Sequence, residues 1–356
     1  MLGKRSIGHL GVRRRWQGAC SCRLGSLVAC AEDVSQASDS GGELHMSSCA
    51  RLSQTGCFGG LAPDLDIFIF SPTDPLLFLE FHRQFTHSLV FIPIGALVVA
   101  MIMHRLIGKG LRFRESYLFC LLGYVTHGLL DTCTTYGTQL LWPFTSERFS
   151  WNNISIIDPL FTLPILGLVI FGVYRKQPWF GRAAFSWAVC YLLIGVFQRD
   201  RAIAAGYELA AERGHDPIRL EAKPGFANLI LWKVVYETQD RFFVDGVRVG
   251  LENKFFPGDS AEKLNLDKHF TWLDPTSQQA RDVERFRWFS DSYLAIDPTK
   301  PDRVIDVRYS VVPNEINALW AIDLDRSKPD DAHIDWIALR KTDSAQTQKW
   351  WRMLTE

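Results

Sequence analysis

Histidine and carboxylate side chains recur between residues 64 and 158 at spacings that suit a divalent metal. Asp64 and Asp66 are two apart, which in an extended segment puts both carboxylates on one side. His82, Arg83, Thr86 and His87 follow, but His82 and His87 are five apart, about 140° round a helix. One regular helix would not aim both rings at one ion, so either a helix starts between them or one ring supports the other. His127 and Asp131 are four apart, an imidazole and a carboxylate on one helical face. Thr135, Arg148 and Asp158 lie just beyond, Asp158 directly before Pro159. Imidazole and carboxylate are ligands for zinc, and equally for manganese or iron. Such an ion brings its water to a pKa of about 7, which makes hydroxide available for attack on a phosphoryl or acyl centre. Each piece also has a structural reading, Asp64 and Asp66 as a turn or helix cap and His127 with Asp131 as a helix pair. Their placement on one face is what argues for a site.

The elements that must position these residues are apolar. Four stretches, at about 89–107, 117–130, 156–174 and 183–197, approach the length that spans roughly 30 Å of hydrocarbon. They predict a mainly α-helical transmembrane bundle over 58–198, carrying a soluble, β-rich domain over 199–356, with 1–57 a poorly structured or misassigned start. The loop between the first two stretches carries Arg105, Lys109, Arg112 and Arg114, and the loop between the last two carries Arg175, Lys176 and Arg182. The loop between stretches two and three has Arg148 alone. Basic loops stay cytoplasmic, so 64–88, 131–156 and the tail are expected on the opposite face, together with the ionisable residues. Arg199 and Arg201 weigh mildly against this.

The balance of 39 basic and 39 acidic residues leaves no footprint for nucleic acid. Five of the eight cysteines (Cys20, Cys22, Cys30, Cys49 and Cys57) fall in the first 57 residues, without zinc-ribbon spacing or a disulfide framework. Cys120, Cys133 and Cys190 read as small buried hydrophobes. The Arg-rich, acid-poor opening suits an organelle transit peptide or a start placed too early, with Met46 a later candidate.

The ordered set Gly59, Gly60, Pro63, Asp64, Asp66, then His82, Arg83, Thr86, His87, then His127, Asp131, Thr135, Gly137, then Pro143, Phe144, Asp158 and Pro159 resembles the bacterial YdjM-like family. Its members are inner-membrane proteins proposed to be metal-dependent hydrolases, and the resemblance covers about 57–240. It implies a metal site of Asp64, Asp66, His82, His87, His127 and Asp131, supported by Arg83, Thr86, Thr135, Arg148 and Asp158. One departure stands out: where members reach the Pro-Asp-Leu-Asp motif through an apolar, Gly/Ala-rich helix, this chain has 47–57.

In the tail, 230–236, 241–249, 285–296, 303–311 and 318–324 read as strands, with a hairpin at Asp245 and Gly246. Trp232, Trp272, Trp288, Trp320 and Trp336 read as its core and membrane-facing rim, and Trp350 with Trp351 as an interfacial pair. Two functions fit. One is a membrane-bound metal-dependent hydrolase acting on a phosphoester or lipid-like substrate at the outer face of a bacterial inner membrane, with membrane lipids as partners. The other is a non-enzymatic scaffold or envelope-stress protein.

Overall fold

The computed structural model describes residues 48–175, 177–339 and 343–356. The expectations for 1–47, Met46 among them, and for Lys176 lie outside these residues. Among the described residues six α-helices, α1 (Ser48–Leu61), α2 (Leu77–Phe81), α3 (Ile92–Ile107), α4 (Phe113–Cys133), α5 (Pro159–Arg175) and α6 (Trp179–Glu212), precede the first strand. A β-rich domain follows, so the helical region and sheet domain stand in the expected order.

All four apolar stretches are helical. Among the described residues, α6 is long and apolar enough to cross a membrane, while α3 reaches that length only with 77–87, to which it is bent by 82°. The outward faces of α3, α5 and α6 are nonetheless apolar: Leu97, Met101, Leu163, Leu166, Ile170, Phe185, Leu193 and Phe197 are all exposed. Contiguous exposed apolar faces of this kind mark an interaction surface, for lipid or for another protein.

The first correction concerns α1. Residues 48–61 form a helix where the sequence offered no apolar run. It is held by closeness rather than by hydrophobic bulk: an added Cβ on Gly59 would collide with the Cys120 backbone, and one on Gly123 with the Gly56 carbonyl. Small residues at both contact positions let the two backbones approach, as membrane helices do. Cys120 Sγ then reaches the Thr55 carbonyl at 3.2 Å. Cys120 and Cys133 are buried as expected, whereas Cys190 is exposed on α6.

The tail is a four-layer stack of helix, sheet, sheet and helix. The first sheet orders β1 (Arg219–Pro224), β2 (Leu231–Glu237), β3 (Arg241–Val249) and β4 (Asn253–Phe256), with β5 (Ser260–Glu262) also on β3. After α7 (Leu266–His269) and α8 (Gln278–Phe289), the second orders β6 (Leu294–Asp297), β7 (Lys300–Asp306), β8 (Trp320–Asp323) and β9 (Asp335–Ala338), and α9 (Ser344–Thr355) ends the chain. Alternation sorts the strands. Trp232, Val234 and Tyr236 pack with Ala202 and Ala205 of α6, while Val235 faces Ile305 and Ala321 of the second sheet. The boundary expected at 198/199 therefore falls inside α6.

Two strand readings need correcting. Residues 285–289 are the end of α8 and only 294–296 are strand: Val283, Phe286 and Phe289 recur every three residues and bury one stripe, and Ser277 caps the start by accepting from Ala280 N. Aromatic content suits strand and helix alike, and the period-three buried stripe makes this segment a helix. Asp245 and Gly246 are not a turn but the middle of β3, opposite Val234 and Lys233. Buried Asp245 accepts two bonds of 2.7 Å from Arg213, and Gly246 leaves room for Met353 Cε. Among the tryptophans, Trp232 and Trp320 are core residues, and Trp351 is exposed.

Candidate metal centre

The Asp64 segment is not extended. Pro63–Phe68 is a 3-10 helix with Pro at its first position. Two residues of a 3-10 turn rotate a side chain by about 240°, so Asp64 and Asp66 point in different directions. Asp66 is buried while the Asp64 side chain stays half exposed. His82 ends α2 in extended backbone, and Phe85–His87 forms a separate 3-10 turn leading into α3. The two histidines thus sit on different elements, the arrangement their five-residue spacing required.

Four side chains from these three stretches meet at one point. His87 Nε2 lies 3.2 Å from His127 Nε2, 3.2 Å from Asp131 Oδ2 and 3.6 Å from Asp64 Oδ1. His127 Nε2 lies 3.3 Å from Asp64 Oδ1 and 3.6 Å from Asp131 Oδ2. A tetrahedral ion with bonds of about 2.0–2.1 Å sets its ligand atoms about 3.3–3.4 Å apart, so the residues fit a divalent metal. Asp131 Oδ2 supplies a second test. It is buried and without a well-formed hydrogen bond, although Arg83 Nε stands 3.0 Å away. The carboxyl ends of α1 and α4 both lead into the centre, and the negative ends of their dipoles favour a cation there.

Asp66 and His82 lie one layer out. Asp66 Oδ2 accepts from Arg83 N at 2.9 Å and Thr86 Oγ1 at 2.7 Å, and Oδ1 pairs with His82 Nδ1 at 2.7 Å. Thr86 Oγ1 is also 2.9 Å from His87 Nδ1, so Asp66 orients His87 through Thr86 and leaves Nε2 facing the centre. The tautomers follow from this network of partners. Asp64, Asp66 and His82 form a second grouping whose ligand atoms come within 4.8 Å of one another.

The charges are strongly coupled. The imidazoles of His127 and His87, 3.3 and 3.6 Å from Asp64 Oδ1, hold Asp64 far below the usual carboxylate range. Burial raises Asp66, but His82, His87 and Thr86 outweigh it and hold it low as well. Burial also pulls His87 down, yet Asp131, Asp64 and Asp66 together push it up to about 10. Without a metal, His87 therefore carries a proton at neutral pH where the cation would sit.

Arg83, at positive φ (63°), donates from Nη1 to Thr134 Oγ1 at 2.9 Å while its Nε faces Asp131. The strained backbone at Arg83 is what lets its N–H reach Asp66 and its side chain reach Asp131. Arg148 donates to the carbonyls of Leu79, His82 and Gly137, stapling the His82 segment to the loop after α4. Thr135 is buried, and its carbonyl accepts from Tyr309 of the tail. Asp158 caps α5 at Leu160 N and Phe161 N and accepts from Tyr191, tying α5 to α6 rather than facing the centre. Sequence reasoning missed Arg285, which grips Asp74 (2.8 and 2.9 Å) and Glu80 and so fixes the tail domain to the segment leading to His82. Nothing local to α8 announces that partner.

The sequence model of the family described as YdjM inner membrane protein matches residues 25–202, half of the chain. The chain belongs to this family. A curated relative, inner membrane protein YbcI of Escherichia coli (strain K12), is 34% identical over 110 residues, 30% of this chain and 62% of that protein. The chain thus spans less than two thirds of YbcI. Uncharacterized protein YfhP of Bacillus subtilis (strain 168) is 27% identical over 256 residues, 70% of this chain and 75% of its own. No solved structure matches. Family and relative both place this YdjM protein in the inner membrane, and the metal-competent cluster falls within the matched residues.

Proposed function

We propose that this YdjM-family protein is a metal-dependent hydrolase of a phosphoester or lipid-like substrate at the outer face of the inner membrane. The observation behind this reading is the convergence of Asp64, His87, His127 and Asp131 from three separate stretches. Two imidazoles and two carboxylates would fill all four positions of a tetrahedral zinc, so a bound water would take a fifth position, which an expanded zinc, manganese or iron would offer. A divalent ion held there supplies a Lewis acid and makes hydroxide available near neutral pH. The half-exposed Asp64 marks the side open to substrate and water. Asp66 fixes His82 by its Nδ1, so Nε2 is the atom placed to give a proton to the departing ester oxygen as water's oxygen bonds to phosphorus. Arg83 keeps Asp131 aimed inward.

The test is hydrolysis of a short-chain phosphatidic acid by the full-length protein in detergent, after chelation and after zinc or manganese is restored. Activity that returns with metal, and falls about 100-fold or more in His82→Ala while metal stays bound, supports the reading. A metal-loaded protein inert on phosphoesters and carboxyl esters alike would favour the scaffold reading, with the ion structural.

In the same reading α3, α4, α5 and α6 cross the membrane, α1 packs beside α4, and the basic loops 105–114 and 175–182 face the cytoplasm. A reporter fused after Glu356 should then register in the periplasm. A cytoplasmic signal would invert the topology and move the centre to the inner face.

A further inference from the structure

A second concentration of charge lies under the junction of the helical region and the first sheet. Lys223 of β1 and Lys233 of β2 are directly opposed across an antiparallel ladder, so both side chains leave the sheet on one face. They are 3% and 4% exposed, and Arg308, at 6%, lines the same cavity of about 190 Å³. Like charges directly opposed on a ladder are destabilising, and burial deepens the cost.

Two of the three cations have carboxylates. Lys223 Nζ lies 2.9 Å from Glu221 Oε2, and Arg308 pairs with Asp306 at 2.8 and 2.9 Å. Lys233 donates instead to Ser310 Oγ and the Glu315 carbonyl, both at 2.8 Å. Among the described residues no carboxylate lies within ion-pair reach of it. An ammonium carries three N–H groups, so in its protonated form Lys233 has one left to give and a charge without a paired carboxylate, the form an anion in the cavity would favour. Burial pushes Lys233 down to about 7, the cost of leaving it without a counter-ion.

The mouth of the cavity is apolar. Ile156, Ile157 and Phe226 are 42%, 60% and 54% exposed. They belong to the segment entering α5 and the loop entering β2, which meet where Ala227 N approaches Ser155 Oγ at 3.5 Å. Gln198 of α6 donates to the Leu229 and Val249 carbonyls at 3.2 and 3.1 Å, so this rim lies where α6 passes from its outward apolar half to its sheet-packing half. Leu251, fully exposed, follows in the turn after Val249. A free phosphate would need the cations but not the apolar rim.

We propose that this cavity binds the phosphate of an anionic phospholipid headgroup, with Lys233 supplying the uncompensated charge and Ile156, Ile157 and Phe226 resting against the acyl chains. The site anchors the tail domain to the leaflet; Thr135 lines it, but none of the four side chains that meet at the metal centre does. It rests on the family's membrane location and stands whether or not the centre is catalytic.

The experiment uses full-length protein, stripped of lipid in a neutral detergent, and three probes: short-chain phosphatidylglycerol, short-chain phosphatidylcholine and inorganic phosphate. Thermal unfolding and native mass spectrometry are the readouts. Phosphatidylglycerol should raise Tm and stay bound as a single adduct, with phosphatidylcholine about tenfold weaker or more. Lys233→Met, which keeps the volume and removes the charge, should abolish the phosphatidylglycerol shift, and Lys233→Arg should retain much of it. Should Lys233→Met fail to fold, Ile157→Asp at the exposed rim should weaken retention of the lipid by itself. An equal response to both lipids, or an undiminished response in Lys233→Met, overturns the cavity as a site. Inorganic phosphate matching phosphatidylglycerol overturns the lipid as its occupant.

Discussion

His87→Ala and His127→Ala should each weaken divalent-metal affinity by roughly 100-fold or more, because each removes an atom that meets the other three. Protein purified without chelator should go from about one metal per chain to a small fraction of that, while still inserting and folding. Asp66→Asn should act more mildly, about 10- to 100-fold, since Asp66 orients His82 and His87 from behind. His104→Ala is the control: its Nδ1 is 3.0 Å from Ser116 Oγ, at the opposite end of α3. Affinity should also rise with pH. His87 is held near 10 without metal, so binding must expel its proton, and affinity should climb about tenfold per pH unit for each proton displaced, from acid through neutral pH. Equal losses from Asp66→Asn and His127→Ala would restore a centre of six equivalent ligands. Wild-type protein that neither carries nor takes up metal would remove the hydrolase chemistry.

Gly123→Leu should be the most damaging single change in the helical region. Its side chain would have to occupy the space of the Gly56 carbonyl and the Gly60 amide, which are backbone and cannot rotate away. Overpacking usually costs about 1–3 kcal/mol, and a clash with backbone belongs at or beyond the upper end. Separation of α1 from α4 would also carry Asp64 away from His127 and Asp131, so metal should be lost along with stability. Gly167→Leu on α5 is the matched control, since nothing lies within 4 Å of an added Cβ there. Unfolding midpoints in detergent together with metal content make the comparison. Equal tolerance of both substitutions would mean that α1 and α4 are not packed through these glycines.

The sequence by itself determined whatever depends on neighbours along the chain. The apolar runs 89–107, 117–130, 156–174 and 183–197 became helices because a periodic apolar face is written in consecutive residues. His127 and Asp131 share a face because four residues make about one helical turn, and β2 and β3 were legible from their Val, Phe and Tyr content.

Tertiary structure decided the rest. The helix at 48–61 was hidden because its stability comes from glycines that fit another helix, a property with no local hydrophobic signal. α8 was hidden because its aromatics fit a strand until the buried stripe of Val283, Phe286 and Phe289 has a sheet to lie on. Asp64 and Asp66 looked equivalent, and a single 3-10 turn sent one to the centre and the other behind His82. Lys223 and Lys233 are ten residues apart, and their opposition exists only once the ladder has set its register. Local periodicity is a short-range property of the chain, whereas a site is a meeting of atoms whose sequence separation carries no information about their distance.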